Sequence, residues 1–368
     1  MSQRAVKCLV QPGDGTAALI KAIDSAKKSV EILIFRFDRR DIETALARAV
    51  SRGVIVHALT AYTNRGGERT LRALELRLLE AGATVDRTAG DLVRYHGKLM
   101  IIDRRELYVL AFNYTRIDIE RSRSFGLILT NRKLVQEAGK LFDADCQRQS
   151  YKAGSPVFLV SPVNARKQLT AFIGGAKKEL LIYDPEISDL EMIRLLQARA
   201  KAGVAIRIFG KMAARGASLG ARPLPRIRLH ARTIVRDGSQ VFVGSQSLRA
   251  LELDSRREVG VIVSDKAAVA RIAKTFEEDW AIKEQAPVSS QEQKDTGSQA
   301  VPAGKVAKRI AKAVVQNMQP ITPVVAPELG LKAPEMEAAV KTAVKDAVKE
   351  VVRDFVENAM EHMEAEGK

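Results

Sequence analysis

His96-Gly97-Lys98 and His230-Ala231-Arg232 each set an imidazole two residues ahead of a cation, and each run reaches an aspartate, Asp103 or Asp237, after four more residues. The two copies lie 134 residues apart, and they use two of only four histidines in the chain. One imidazole can attack the phosphorus of a phosphodiester while a second protonates the departing oxygen. Cations beside them hold the negative charge that builds on the phosphoryl oxygens. A single copy could not divide this work.

These residues resemble the HKD signature of the phospholipase D superfamily, H-x-K-x4-D-x6-G-S/T with an Asn two residues after the Ser or Thr. The resemblance covers roughly the first 285 residues, as two halves. It implies that the halves pack about a pseudo-two-fold axis and form one site, in which one histidine becomes a phosphohistidine. The other protonates the departing alcohol and then activates water or an acceptor alcohol. No metal and no cofactor are required in this class, and the sequence has no obvious cluster of carboxylates and histidines at metal-ligand spacing.

Carried onto this chain, the resemblance makes His96, Lys98, His230, Arg232 and Glu258 the catalytic set. Arg232 departs from the family's Lys; it keeps the charge but is forked and bulkier. Glu258 stands eleven residues after Ser247, where the family often carries a carboxylate that orients a histidine across the site. It would hold His96 and make it the nucleophile, leaving His230 as general acid and base. The first half has Ser124 at the matching place. Gly244-Ser245-Gln246-Ser247 is close to the family's GSxN, whereas the first half reads Leu110-Ala111-Phe112-Asn113. Asn113 and Ser245 are therefore candidate phosphate donors, with Ser247 a weaker one. Asp103 and Asp237 are expected to act as scaffold or turn residues rather than as general bases.

The elements that must carry these residues repeat as well. Ala26-Lys27-Lys28 and Ala176-Lys177-Lys178 each precede an apolar run, then an amphipathic stretch, then Gly-Val, at an offset of 150. From the first histidine onward the offset is 134 without a gap through Gly126 and Gly260, so the 16-residue difference falls between Gly53 and His96. Each half reads as a helix, an apolar strand, a second helix and a strand (VIVHAL, AIRIF). The motif strand and two further strands follow. The expected fold is α/β: two tandem pseudo-symmetric halves with mixed sheets flanked by helices, residues 1–150 and 151–285.

After Trp280 the composition changes. Residues 286–332 read as a linker with a short basic helix, AKRIAKAVVQ. Residues 333–368 read as an amphipathic helix, with Val340, Val344, Val348, Val351, Phe355 and Ala359 on one face. That face is expected to self-associate, to dock on its own protein or a partner, or to touch a membrane surface.

The net charge is +16, and residues 286–368 are near neutral with 11 basic and 12 acidic side chains. The excess belongs to the first 285 residues and suits an anionic phosphodiester, a phospholipid headgroup above all, with a nucleic-acid backbone second. Few aromatics are present for base stacking, and aromatic residues make up 5% of the chain. Cys8 and Cys146 are too few for a disulfide framework and read as buried thiols. The N-terminus lacks the apolar core of a signal peptide and no apolar run is long enough to span a bilayer, so a cytoplasmic location with peripheral membrane contact is expected.

Three functions follow in order. The first is a phospholipase D-type phosphodiesterase or transphosphatidylase. The second is a nuclease of the same superfamily, and the third is a catalytically degraded binding or assembly protein, motivated by Arg232 and by Ser124. Among minor features, Gly66-Gly67 reads as a loop, His57 as structural and His362 as a surface residue. Arg121, Arg123, Arg256 and Arg257 are expected either to edge the site and attract anions or to be solvated charges at its rim, the second reading being favoured.

Overall fold

The computed structural model describes residues 6–63 and 68–282. Gly66-Gly67, the linker, the C-terminal amphipathic helix and His362 lie outside the described residues.

Two mixed sheets carry the chain. In the first, the strands run in the order Val6–Gln11, Ser122–Leu129, Glu106–Leu110, Leu99–Ile102, Ser29–Ile34, Ile55–Thr60 and Thr84–Arg87. In the second the order is Ala205–Met212, Glu179–Ile187, Thr233–Arg236, Gln240–Gly244, Val259–Val263 and Phe158–Val160. The strand Ser29–Ile34 pairs parallel with Ile55–Thr60 and antiparallel with the motif strand Leu99–Ile102, and Glu179–Ile187 repeats both pairings with Ala205–Met212 and Thr233–Arg236. The β-branched and leucine runs form these strands because both faces are covered, which favours near-continuous apolar sequence. The extra length of the first half is the helix Glu68–Glu80 with the strand Thr84–Arg87, against a short 3-10 turn, Ala214–Leu219, in the second.

The central core takes side chains from both sheets and from the helices Arg132–Cys146 and Lys266–Ala281. Separate apolar clusters fill the outer side of each sheet, against Ala17–Ser25 and Arg40–Ser51 in the first half and Ala165–Gly174 and Leu190–Lys201 in the second. The halves also exchange backbone. Arg228–Leu229 pairs parallel with the start of Ser122–Leu129, and Arg256–Arg257 pairs parallel with Arg94–Tyr95. These two crossings sit at the same register, 134 apart, and they deliver the histidines.

Among the described residues no helix is long and apolar enough to cross a membrane.

Candidate active site

Each histidine hangs from the opposite half. The His96 N–H donates to Arg257 O at 2.7 Å, and the His230 N–H donates to Arg123 O at 3.1 Å. Neither histidine lies in a regular strand; each occupies the short link just before its motif strand. Gly97, between His96 and Lys98, lets this link press on the other half, since a Cβ there would fall 2.8 Å from Val259 Cγ2. His96, Lys98, His230 and Glu258 are all buried, with Glu258 at 0% exposure.

His96 Nδ1 stands 2.9 Å from Glu258 Oε2 and 3.1 Å from Oε1. Phe35 packs edge-on against the imidazole, with ring centroids 4.6 Å apart. Burial, and then the cations Lys98, Arg232, Arg94 and Arg256, hold the imidazole well below its usual pKa. A neutral ring that donates its Nδ1–H to Glu258 in a hydrogen bond keeps a lone pair on Nε2. Burial, with Glu252 nearby, pushes the Glu258 carboxyl up to about 7 against the pull of Lys98 and Arg256.

The cations repeat the symmetry. Lys98 Nζ donates to His96 O at 2.6 Å, and an Arg232 guanidinium nitrogen donates to His230 O at 3.0 Å. Both charges act on both imidazoles, so the two motifs face one space. Burial brings Lys98 down to about 7, with Glu258, Asp118 and Glu252 opposing and Arg232 adding to the fall. Arg232 Nε also donates to Ser247 Oγ at 3.2 Å, and its guanidinium lies 3.6 Å from Glu252.

Asp118 and Glu252, a second pair of buried acids 134 residues apart, join the site without having been singled out in the sequence. Asp118 Oδ2 accepts from Asn113 N and Nδ2, each at 2.8 Å, and lies 3.6 Å from His230 Nε2. Arg228 donates to its other oxygen at 2.7 Å. Glu252 Oε2 accepts from Ser247 N at 2.6 Å, and Glu252 Oε1 accepts from Arg256 at 3.2 Å. Against the cost of burial, His230 and Arg228 hold Asp118 far below the carboxylate range, and Arg232, Arg256 and Arg249 hold Glu252 at about 2. Both acids are ionised. The signal for them was the gap-free repeat itself, in which a carboxylate recurs five residues after Asn113 and after Ser247.

His230 has no counterpart of Glu258. Ser124 occupies that place, and both Ser124 Oγ and His230 Nδ1 are buried without a hydrogen-bond partner. Burial lowers the His230 pKa well below its usual value, and Asp118 is the largest opposing influence. The carboxylate that faces His230 across the halves is instead Asp118, the counterpart of Glu252, six residues before Ser124.

The remaining sequence-named residues fall into two groups. Asn113, Ser245 and Ser247 lie in the site, each engaged with protein. Asn113 holds Asp118, Ser245 Oγ accepts from Val259 N at 3.0 Å beside Glu258, and Ser247 bridges Arg232 and Asp184. Asp103 and Asp237 are not brought to the histidines. They stand at the far ends of the motif strands, seven residues and about 23 Å of extended chain beyond the histidines. There each begins a tight turn at positive φ, 52° and 53°. Asp103 accepts from the N–H groups of Lys27, Lys28 and Ser29, and Asp237 from those of Lys177, Lys178 and Glu179. Arg256 and Arg257 are not rim charges either; both are buried, on Glu252 and on Asp145 respectively. Arg121 is exposed, and Arg123 pairs with Asp279 at 2.8 Å.

The family described as cardiolipin synthase, PLD-like domain matches residues 19–146 and 169–280, one segment in each half. The chain belongs to the phospholipase D superfamily. Curated relatives in that superfamily include phospholipase D of Rickettsia felis, 27% identical over 129 residues, and that of Rickettsia prowazekii, 26% identical over 129 residues. Each alignment takes in 35% of this chain, which spans 62% and 61% of the two relatives' lengths. Polyphosphate kinase from Porphyromonas gingivalis superposes with a TM-score of 0.62 at 18% identity, over 75% of this chain and 47% of that one. Phosphatidylserine synthase from Haemophilus influenzae superposes with a TM-score of 0.54 at 9% identity, over 76% of this chain and 87% of that one. These likenesses show the two-sheet phospholipase D-like fold.

Proposed function

We propose that the protein cleaves or transfers a phosphodiester through a phosphohistidine on His96, with a phospholipid as the substrate class. The observation that carries this reading is the buried His96–Glu258 pair, which joins the two halves and fixes one tautomer. His96 Nε2 attacks phosphorus and forms the P–N bond as the bond to the leaving alcohol oxygen breaks. His230 gives that oxygen its proton. A bound phosphodiester adds negative charge beside His230 and so favours the imidazolium that this step needs. Water or a second alcohol then attacks the phosphohistidine, neutral His230 takes the attacker's proton, and His96 is released.

Lys98 and Arg232 hold the phosphoryl oxygens throughout. Because protein cations carry that charge, the reaction is expected to proceed without a divalent ion. The two histidine side chains keep 8% and 9% exposure.

The test offers the purified chain and His96→Asn three substrates: phosphatidylcholine, phosphatidylglycerol and a single-stranded oligonucleotide, each with and without EDTA. Headgroup release that resists EDTA and is lost in His96→Asn is the expected result. Cleavage of the oligonucleotide alone would assign a nuclease. No turnover of any substrate would overturn the enzymatic reading and leave a binding or assembly role.

A further inference from the structure

We propose that His57, Asp86 and Cys146 hold a divalent transition-metal ion of borderline softness, with zinc the fitting case. The three residues come from three elements, the adjacent parallel strands Ile55–Thr60 and Thr84–Arg87 and the last position of the helix Arg132–Cys146. Their donor atoms all lie within 4.8 Å of one another. The site shares no residue with the histidine motifs and does not depend on the reading of their chemistry.

The spacing fits tetrahedral coordination. With Zn–S near 2.3 Å and Zn–N near 2.05 Å, a tetrahedral angle separates sulfur from nitrogen by about 3.5 Å. Cys146 Sγ lies 3.7 Å from His57 Nε2. His57 Nε2 and Asp86 Oδ2 are 2.7 Å apart, the separation of a hydrogen bond. It opens by about 0.6 Å when a metal replaces the shared proton. Phe142 fixes the imidazole from the side, edge-on with centroids 5.1 Å apart.

A second, independent observation points to a cation. Glu31 is directly paired with His57 in the neighbouring strand and is buried at 7% exposure. Its Oε1 accepts from Arg104 Nε, but Oε2 is buried without a hydrogen-bond partner. A buried carboxylate oxygen left unpaired is costly, and a cation nearby relieves it. Asp86, Asp143, Asp145 and Glu31 are the acidic groups whose charge reaches Cys146. That negative field is the one a divalent ion would neutralise. Arg104, bound to Glu31 and Asp143, is the cation already present at this edge.

The donor set selects the metal. Thiolate, imidazole and carboxylate together suit zinc, whereas magnesium and calcium take oxygen ligands only. On binding, Cys146 releases its thiol proton to solvent and His57 moves its proton from Nε2 to Nδ1. Asp86 is 43% exposed at its side chain, which leaves an entry path.

The experiment uses the full chain, stripped with EDTA, desalted and titrated with cobalt(II) alone. One tetrahedral cobalt per chain is expected, with a thiolate-to-cobalt charge-transfer band that zinc bleaches. The band should vanish in Cys146→Ser and persist in Cys8→Ser, and His57→Gln should weaken binding by more than about tenfold. A readout without any variant is alkylation of Cys146 by iodoacetamide, which zinc should slow. Absence of the band, its persistence in Cys146→Ser, or alkylation at the same rate with and without zinc would each overturn the proposal.

Discussion

Glu258 Oε2 lies 2.9 Å from His96 Nδ1 across 162 residues of sequence, and each group belongs to a different half of the repeat. In the proposed reaction the pair would do for His96 what an orienting carboxylate does in a histidine-dependent nucleophilic site, fixing the tautomer and the ring angle. Glu258→Gln keeps the shape and can still accept the Nδ1 proton, but it removes the charge that steadies the ring as positive charge develops. The expected loss is about 10²- to 10⁴-fold in kcat with KM changed far less. Steady-state kinetics on the substrate found active would check this. A change confined to KM would make Glu258 a binding residue instead.

The acid and base limbs of activity should both fall near neutrality, for different reasons. Burial raises Glu258 to about 7, so below that pH the carboxyl takes a proton and no longer accepts from His96. Burial lowers Lys98 to about 7, so above that pH the free enzyme loses the cation proposed to hold the phosphate. A bound anion favours the charged lysine and carries its pKa up again. The kcat/KM profile is therefore expected to be bell-shaped around pH 7, with an alkaline limb that moves to higher pH in kcat. Lys98→Arg, charged at every accessible pH, should remove the alkaline limb. Retention of that limb in the variant would assign it to another group.

Asp118 faces His230 at 3.6 Å, where Ser124 cannot serve as an acid. If Asp118 supports the protonated His230, then Asp118→Asn slows proton delivery to the leaving oxygen by about 10²-fold. A diester with a p-nitrophenol leaving group needs little protonation and should lose much less. Asp118 also anchors Asn113 and Arg228, so a purely structural role would reduce both substrates alike. The ratio of the two losses is what decides.

Much of this architecture could be read from the sequence because duplication doubles every signal. The 134-residue offset set His96 against His230, Lys98 against Arg232 and the motif strands against each other, and the sheets follow that register. Glu258 was legible through its spacing from Ser247. Asp118 and Glu252 obeyed the same offset, yet isolated acids on short helices look like solvated charges until packing buries them. Arg256 and Arg257 misled for a similar reason. A pair of arginines reads as surface, whereas here the strand they form pairs with Arg94–Tyr95 of the other half and Glu252 and Asp145 compensate them. The site at His57 was not legible, since its three donors sit in unrelated elements with no periodic spacing. Cys146 in particular is half-buried beside His57 rather than an inert thiol in the core.

The aspartates of the two motifs offer a test that separates folding from chemistry. Asp103 accepts three backbone N–H groups at 2.6–3.0 Å and starts a turn at φ 52°, and it stands at the opposite end of its strand from Lys98. Asp103→Ala removes those acceptors, as the loss of a helix cap does, and puts an alanine at positive φ. The combined cost is about 2 kcal/mol. Urea unfolding should show the midpoint fall with an unchanged slope. The kinetic constants of the folded fraction at low temperature should stay within about threefold of the parent, since a scaffold residue makes no contact that changes in the transition state. The three N–H groups also hold the carboxyl below its ordinary pKa. A group with a lowered folded-state pKa contributes stability above its unfolded value and loses it as pH falls through the folded one. The stability gap between parent and variant should therefore close as the solution is acidified below the usual aspartate range. A kcat loss comparable to that of Glu258→Gln, with stability unchanged, would instead make Asp103 part of the reaction.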